Sequence, residues 1–481
     1  MLAPDEKLKL SPKPYLSATA RFKRGEDTPR DFLERCLADL AALEPKIGAF
    51  VNLNLDGARA AADQSTARWR AGKPHSPIDG MPIGIKDIIE TADMPTENGS
   101  PLFAGFRSER DAASVAALRE AGAVIVGKAV TTEFASTEPR GTRNPHDLRR
   151  TPGGSSSGSA AAVAAGMVST ALGTQVIGST IRPASYCGCI GFKVSVGALN
   201  RGGSHDGLSQ SATGVLAVTL EDTWQVAYEI AIRAGGDPGY PGLFGPASAP
   251  PPRKPRRLAF LETAGWTAAS PGAKQAMTDA LARLKAAGID VLTRHSHAQV
   301  AAVEAAITHA RPLSMRINSW ESRWPLNTYR ERDASKLSRT MLARLADAEA
   351  MSLDDYRNDL TQRDKARALY AQLDCDACIS LSAPAAAPLG LDSTGDPACT
   401  AHASLLGIPA ISLPLLQDDG LPLGLQVTGF INGDAEAFGV ATAVKGAVSQ
   451  VSITDLSANT ARCPSANSWS RRGDLGIAAR E

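Results

Sequence analysis

Apolar positions recur along this chain with two different periods, and the alternation between them predicts the elements. From Thr28 the period is helical. Phe32, Leu33, Cys36, Leu37 and Leu40 share one face, and Thr28-Pro29 supplies a capping residue followed by proline at the first helical position. The alanine-rich run Asp56–Arg70 predicts a second helix. Pro82-Ile-Gly-Ile-Lys-Asp-Ile-Ile is a short apolar run broken by one lysine, and it predicts a buried strand. Ser114–Ala121, followed by Ala123-Val-Ile-Val-Gly, predicts helix, glycine turn and strand. That succession argues for an α/β architecture.

Residues 152–159, Pro-Gly-Gly-Ser-Ser-Ser-Gly-Ser, are too polar and glycine-rich for a regular element and predict a loop, with a helix over 160–166. A strand from Thr170 then runs into a tight turn ending at Arg182-Pro183. Residues 235–257 are the strongest linker candidate. The segment 258–372 is mostly helical by pattern, and 377–430 returns to short strands with Gly/Pro turns. From about Val451 the periodicity is lost, which predicts a frayed tail.

Composition narrows the function classes. The chain has 481 residues, 43% of them apolar, which excludes a wholly disordered protein. Lys+Arg is 51 and Asp+Glu is 50, and that balance gives no support for a nucleic-acid binder working by bulk charge. No apolar run reaches the roughly 18 residues a membrane helix needs. The N-terminal sequence has two prolines and no apolar core, so it does not read as a secretory signal. Seven cysteines, an odd number, argue against a disulfide framework and for a reducing cytoplasm. Cys187 with Cys189, and Cys375 with Cys378, read as buried free thiols rather than zinc ligands, because Cys-x-Cys spacing suits zinc poorly. Trp320 and Trp324, four apart on a predicted helix, read as core.

Three features carry candidate chemistry. Lys86 stands alone among isoleucines. Burial there would disfavour its charge and make it a neutral base near pH 7, whereas an ordinary lysine would lay its stem on apolar surface with its head in water. Gly153-Gly154-Ser155-Ser-Ser-Gly-Ser aims backbone N–H groups and hydroxyls at one point, but lacks the Gly-Lys-[Ser/Thr] of a phosphate loop and could also be a linker. Ser179 follows Gly178 in a tight turn. It could be a nucleophile with backbone N–H groups beside it, or an ordinary turn serine.

Lys86, Ser155 and Ser179 are spaced 69 and then 24 residues apart. Around them lie Gly80-Met-Pro-Ile-Gly-Ile-Lys-Asp, Thr131-Thr-Glu-Phe, Thr142-Arg-Asn-Pro, Pro152-Gly-Gly-Ser-Ser-Ser-Gly-Ser and Leu172-Gly-Thr-Gln-x-x-Gly-Ser-x-Ile-Arg-Pro. With Gly191-Phe-Lys, Leu391-Asp-Ser-Thr-Gly-Asp-Pro and Leu421-Pro-Leu-Gly-Leu-Gln, the chain resembles the amidase signature family from roughly residue 28 to 445.

The resemblance implies a single large α/β domain over 28–450, a mixed twisted β-sheet covered by helices on both faces. Residues 1–27 would be an N-terminal extension and 451–481 the tail. It also implies a hydrolase of linear carboxamides, acting on C–N bonds other than peptide bonds through an acyl-enzyme. Ser179 would be the nucleophile, Ser155 on a cis peptide bond the proton relay, and Lys86 the general base. The backbone N–H groups of Val176, Ile177, Gly178 and Ser179 would form the oxyanion hole. Gly154 and Arg182 would contact substrate, although Arg182 could equally pair with a protein carboxylate.

Two departures stand out. Val176-Ile177 replaces the small residues the family has before the nucleophile, which predicts a narrowed or reshaped acyl pocket and weakened activity. Ser209-Gln-Ser-Ala-Thr-Gly stands where Leu-Asp-Thr-Val-Gly is usual. Carbamate, urethane or ester hydrolysis on the same residues, an amidotransferase A-type subunit working with partner subunits, and a non-catalytic binding relative are the alternatives. No metal or cofactor is implied. The expected partner is a small-molecule amide, with neither nucleic acid nor membrane, and a homodimer is an open assembly.

Overall fold

The computed structural model describes residues 7–136 and 138–449. Its strands are β1 (Phe50–Leu53), β2 (Pro82–Lys86), β3 (Val124–Ala129), β4 (Thr170–Gln175), β5 (Ile190–Lys193), β6 (Ala212–Ala217), β7 (Arg257–Phe260), β8 (Asp290–Leu292), β9 (Ala377–Leu381), β10 (Ala410–Asp418) and β11 (Leu421–Thr428). They form one sheet in the order β1-β3-β2-β4-β6-β5-β10-β11-β9-β7-β8. β3, β2 and β4 run parallel, as do β9, β7 and β8, and antiparallel pairs join the two groups, so the sheet is mixed.

Side chains that alternate along a strand serve opposite faces. Ile83, Ile85 and Ile125 join a core with the helices Ala113–Glu120, Leu220–Ala234 and Pro271–Ala286. Val124, Val126 and Ala171 face the other way, onto Pro29–Ile47, Leu55–Arg70 and the all-buried helix Ser157–Ala164. Around β7 and β9 a third cluster is built on Ala259, Cys378 and the helices Ala298–Ile307 and Ala401–Leu406. The α/β sheet is therefore covered on both faces, as the sequence predicts.

The first helix follows the cap predicted at Thr28, and the second begins on a cap at Asn54 that was not predicted. Thr28 Oγ1 accepts from Asp31 N at the start of Pro29–Ile47, and Asn54 Oδ1 accepts from Gly57 N at the start of Leu55–Arg70. The N-terminal segment is anchored as well. Tyr15 is fully buried, and its backbone N–H, with that of Leu16, donates to the Asp222 carboxylate.

Three expectations are corrected. The helix after the serine-rich loop begins at Ser157, not at 160, because the hydroxyls of Ser157 and Ser159 are satisfied inside the protein by the carbonyls of Val130 and Leu172. Residues 235–257 link no separate domain: the segment carries the chain from Leu220–Ala234 to β7 of the same sheet, with Arg253 N donating to Gly439 O. Trp324 is not core. The helical run Ala310–Asp333 kinks at Trp324 (φ −97°, ψ 128°) before Pro325, which leaves the indole 72% exposed. Trp320 is half-buried, stacked on Tyr356 and covered by the Arg323 guanidinium. Cys187, Cys189 and Cys378 are buried free thiols, while Cys375 is only partly buried. The tail expected from 451 lies outside the described residues.

Candidate active site

The carboxyl ends of the parallel trio converge, the usual place for a site in a sheet of this kind. β2 ends at Lys86, β4 ends at Gln175 and feeds the turn to Ser179, and β3 leads to Thr131 and Thr132. Lys86 is fully buried. Its Nζ lies 2.7 Å from Ser155 Oγ and 2.9 Å from Thr174 Oγ1. Burial pushes the lysine down from 10.5 to about 7, against the pull of the Asp206 carboxylate, which favours the charged form. Burial raises the Asp206 carboxyl, but the facing Lys86 ammonium and hydrogen bonds from Thr174 and Ser204 hold it below the ordinary carboxylate value.

The serine loop is fixed from several sides. The Gly154–Ser155 peptide is cis, and Gly153 adopts φ +83°, which only glycine takes without strain. Ser155 O accepts from Thr132 N, and Ser156 N donates to Ser179 O at 3.3 Å, tying the loop to the turn that carries Ser179. Ser156 Oγ bonds the backbone of Thr174 in both directions. The three predicted residues are thus brought into one neighbourhood from three separate segments.

Ser179 lies half-buried in the wall of a cavity of about 560 Å³, beside Val176, Ile177 and Gly178. Gln175 organises this turn. Its Oε1 accepts from Thr180 N and Ile181 N, both at 3.0 Å, which satisfies the first donors of the helix Ile181–Cys187. The N–H groups of Val176, Ile177, Gly178 and Ser179 donate to no acceptor among the described residues. A side chain on Gly178 would meet Thr400 Oγ1 at 2.3 Å, so only glycine fits there.

Arg182 lines the cavity, but its Nη2 is held by Gly154 O at 2.7 Å and by Thr394 Oγ1 at 3.0 Å. No ion pair links Arg182 to a carboxylate of the described residues. It therefore braces the serine loop. Gly154 meets Arg182 through its carbonyl, and its α-carbon abuts Thr394. Histidines give no rival base: His205 lines the cavity, packed against the Phe134 and Tyr329 rings, and no hydrogen bond joins a described histidine to Ser179.

Thr174, Gln175, Asp206 and Thr394 were not singled out from the sequence. Thr174 and Gln175 sit inside Leu172-Gly-Thr-Gln, so their place beside the nucleophile turn was a usable signal. Asp206, in the loop before the atypical Ser209-Gln-Ser-Ala-Thr-Gly, had none. It reaches Lys86 only through the fold.

Comparison with known proteins agrees with this geometry. A family described as Amidase matches residues 31–437. The chain is 33% identical to a protein of Chloroflexus aggregans named as the A subunit of glutamyl-tRNA(Gln) amidotransferase, over 86% of this chain and 93% of that one. Among solved structures, an amidase superposes with a TM-score of 0.76 at 26% identity, covering 90% of this chain and 99% of that one. The peptide amidase of Stenotrophomonas maltophilia superposes with a TM-score of 0.68 at 26% identity, covering 90% and 96%. With a match that spans most of its length and a sheet of the same build, this chain belongs to the amidase family.

Proposed function

We propose that this protein hydrolyses the C–N bond of a linear carboxamide through an acyl-enzyme on Ser179. The observation that carries the reading is the Lys86 Nζ to Ser155 Oγ contact of 2.7 Å, made by a fully buried lysine close to the turn that presents Ser179. Neutral Lys86 draws the proton of Ser155, and Ser155 draws that of Ser179. Ser179 Oγ then bonds to the carbonyl carbon. The oxyanion is met by the free N–H groups of residues 176–179, each such donor worth roughly 10²–10³ in rate. The proton returns through Ser155 to the leaving nitrogen as the C–N bond breaks. Water, deprotonated by the same route, releases the acid: R–CO–NH–R′ + H₂O → R–COOH + R′–NH₂. Thr174 and Asp206 set the basicity and position of the lysine.

The test is intact mass after treatment with a sulfonyl fluoride, comparing wild type with Ser179→Ala, followed by ammonia release from simple primary amides. One adduct on wild type, absent in the variant, with turnover by the isolated chain, is expected. No adduct on either protein overturns the reading. A second reading has a specific observation behind it. Relatives named as amidotransferase A subunits match across most of the chain, so the ammonia released could serve a partner protein instead. That reading expects the same adduct on Ser179 but little turnover until a partner is added.

A further inference from the structure

The cavity wall holds three guanidinium groups: Arg182, Arg311 and Arg344. Arg182, which also lacks an ion-pair partner among the described residues, is fixed in the serine loop by Gly154 O and Thr394 Oγ1, and Arg311 pairs with Asp396 at 2.9 Å. Arg344 is held by a single hydroxyl. Its Nη1 donates to Ser136 Oγ at 2.9 Å, and no carboxylate of the described residues forms an ion pair with it. Glu138 and Asp347 line the same cavity, but neither forms an ion pair with Arg344: Glu138 accepts from Thr340 Oγ1, and Asp347, one turn further on the same helix, is exposed.

Arg344 is also held on a firm base. The helix Arg339–Ala350 buries Met341 and Leu345 against Phe134, Leu326 and Leu337, so the guanidinium is carried on a packed element. Protein encloses it closely enough to depress its ionisation to about 10 through desolvation, with no acidic neighbour acting on it. The guanidinium is half-buried, with no ion-pair partner among the described residues, and an arriving carboxylate would supply two directed hydrogen bonds along with the charge.

Resting on the amide-hydrolysis reading above, we propose that the substrate carries a carboxylate remote from the scissile amide, and that Arg344 binds it. The substrate class is then the monoamides of dicarboxylic acids and amides of like charge. Arg182, the arginine beside the nucleophile, keeps a bracing role.

The test uses matched pairs: the monoamides of succinic, glutaric and adipic acid against butanamide, pentanamide and hexanamide, in which a methyl group replaces the carboxylate. Wild type is expected to favour one or more of the acids by at least about tenfold in kcat/KM. Arg344→Gln should lower kcat/KM for that acid by about 10²-fold, mainly through KM, and by at least tenfold less for the neutral partner. Arg344→Lys should recover part of the loss. In parallel, calorimetry on Ser179→Ala protein reads binding of the uncleaved acids, which Arg344→Gln should weaken about 10- to 100-fold.

Equal losses for acid and neutral amide, no preference in wild type, or no binding of any acid to Ser179→Ala protein would each overturn the proposal. The two readings fail separately. Serine labelling and turnover of the neutral amides without an acid preference removes only the Arg344 assignment. Binding that depends on Arg344 without labelling or turnover removes the hydrolytic one.

Discussion

If Lys86 is the base, the pH at which Ser179 becomes reactive is set by a contest between burial and one carboxylate, and Asp206→Asn tilts it. Burial brings the lysine to about 7, so half of it is neutral at that pH and only about a tenth at pH 6. Asp206 acts in the opposite sense, stabilising the ammonium. A facing opposite charge shifts a buried group by roughly one to three units, so removing Asp206 should lower the lysine by about one unit. Asparagine keeps the side-chain shape and can still meet Ser204 and Ser211, which now bond the carboxylate. The assay is the pseudo-first-order rate of sulfonyl fluoride labelling between pH 5 and 9. Wild type should show an acid limb near pH 7, and Asp206→Asn the same limb about one unit lower. At pH 6 the fraction of competent enzyme then rises about fivefold, although the less basic amine lowers the plateau. A limb that stays in place or moves up refutes the pairing of Lys86 with Asp206. A rate without any limb across this range refutes the lysine base.

Ser155→Ala removes the hydroxyl that Lys86 Nζ meets and should cut kcat by at least about 10²-fold, while urea melts stay near wild type; an unchanged kcat means the proton travels another way. Lys86→Met abolishes turnover yet should stabilise the fold around neutral pH. Because the buried lysine titrates near 7 and the unfolded one near 10.5, the unfolded chain binds the extra proton between these values, and wild-type stability rises with pH there. The stability advantage of Lys86→Met should therefore shrink by about 1.4 kcal/mol per pH unit between pH 7.5 and 9 in urea titrations, and a constant gap contradicts the depressed lysine. Trp224→Ala should cost about 3–5 kcal/mol, because the indole is fully buried against Phe192 and Phe438. Trp324→Ala should cost under about 0.5 kcal/mol, since most of that side chain is in solvent. Equal melting shifts for the two variants would show that exposure at the kink is misread.

The parts of this protein that the sequence made legible are those written in local pattern. The capped helix from Pro29, the run to Lys86 and the strand from Thr170 each carry their period or their cap within a dozen residues. Lys86, Ser155 and Ser179 stood out as candidates because they lie in short, unusual segments. What was not legible depends on contacts between distant segments. The serine run read as loop because it is polar and glycine-rich, but the fold gives Ser157 and Ser159 carbonyl partners just past β3 and in β4. Trp324 shared a helical face with Trp320 only if the helix stayed straight, and Pro325 ends that regularity. Asp206 and Arg344 are ordinary charged residues in ordinary surroundings along the chain. Only the sheet order, and a helix packed on Phe134, place them beside the cavity.

On the acyl-enzyme reading, Val176-Ile177 separates two things that the turn at Ser179 must do. Its main chain has to present free N–H groups, and Gln175 secures that by satisfying Thr180 and Ile181 instead, whatever side chains stand at 176 and 177. Its side chains decide what acyl group fits. Ile177 faces the cavity, packs against the third core cluster, and has its carbonyl tied to Ser404 Oγ at 3.3 Å. Ile177→Gly should then leave Ser179 labelling by a small sulfonyl fluoride within a few-fold of wild type, while raising kcat/KM for aromatic or branched acyl amides relative to acetamide. It should also cost about 2–4 kcal/mol, from lost packing and the added freedom of glycine. If labelling by the small reagent instead collapses while the fold survives, the turn needs the isoleucine to hold its N–H groups in place. The side chain would then belong to the oxyanion hole as much as to the pocket.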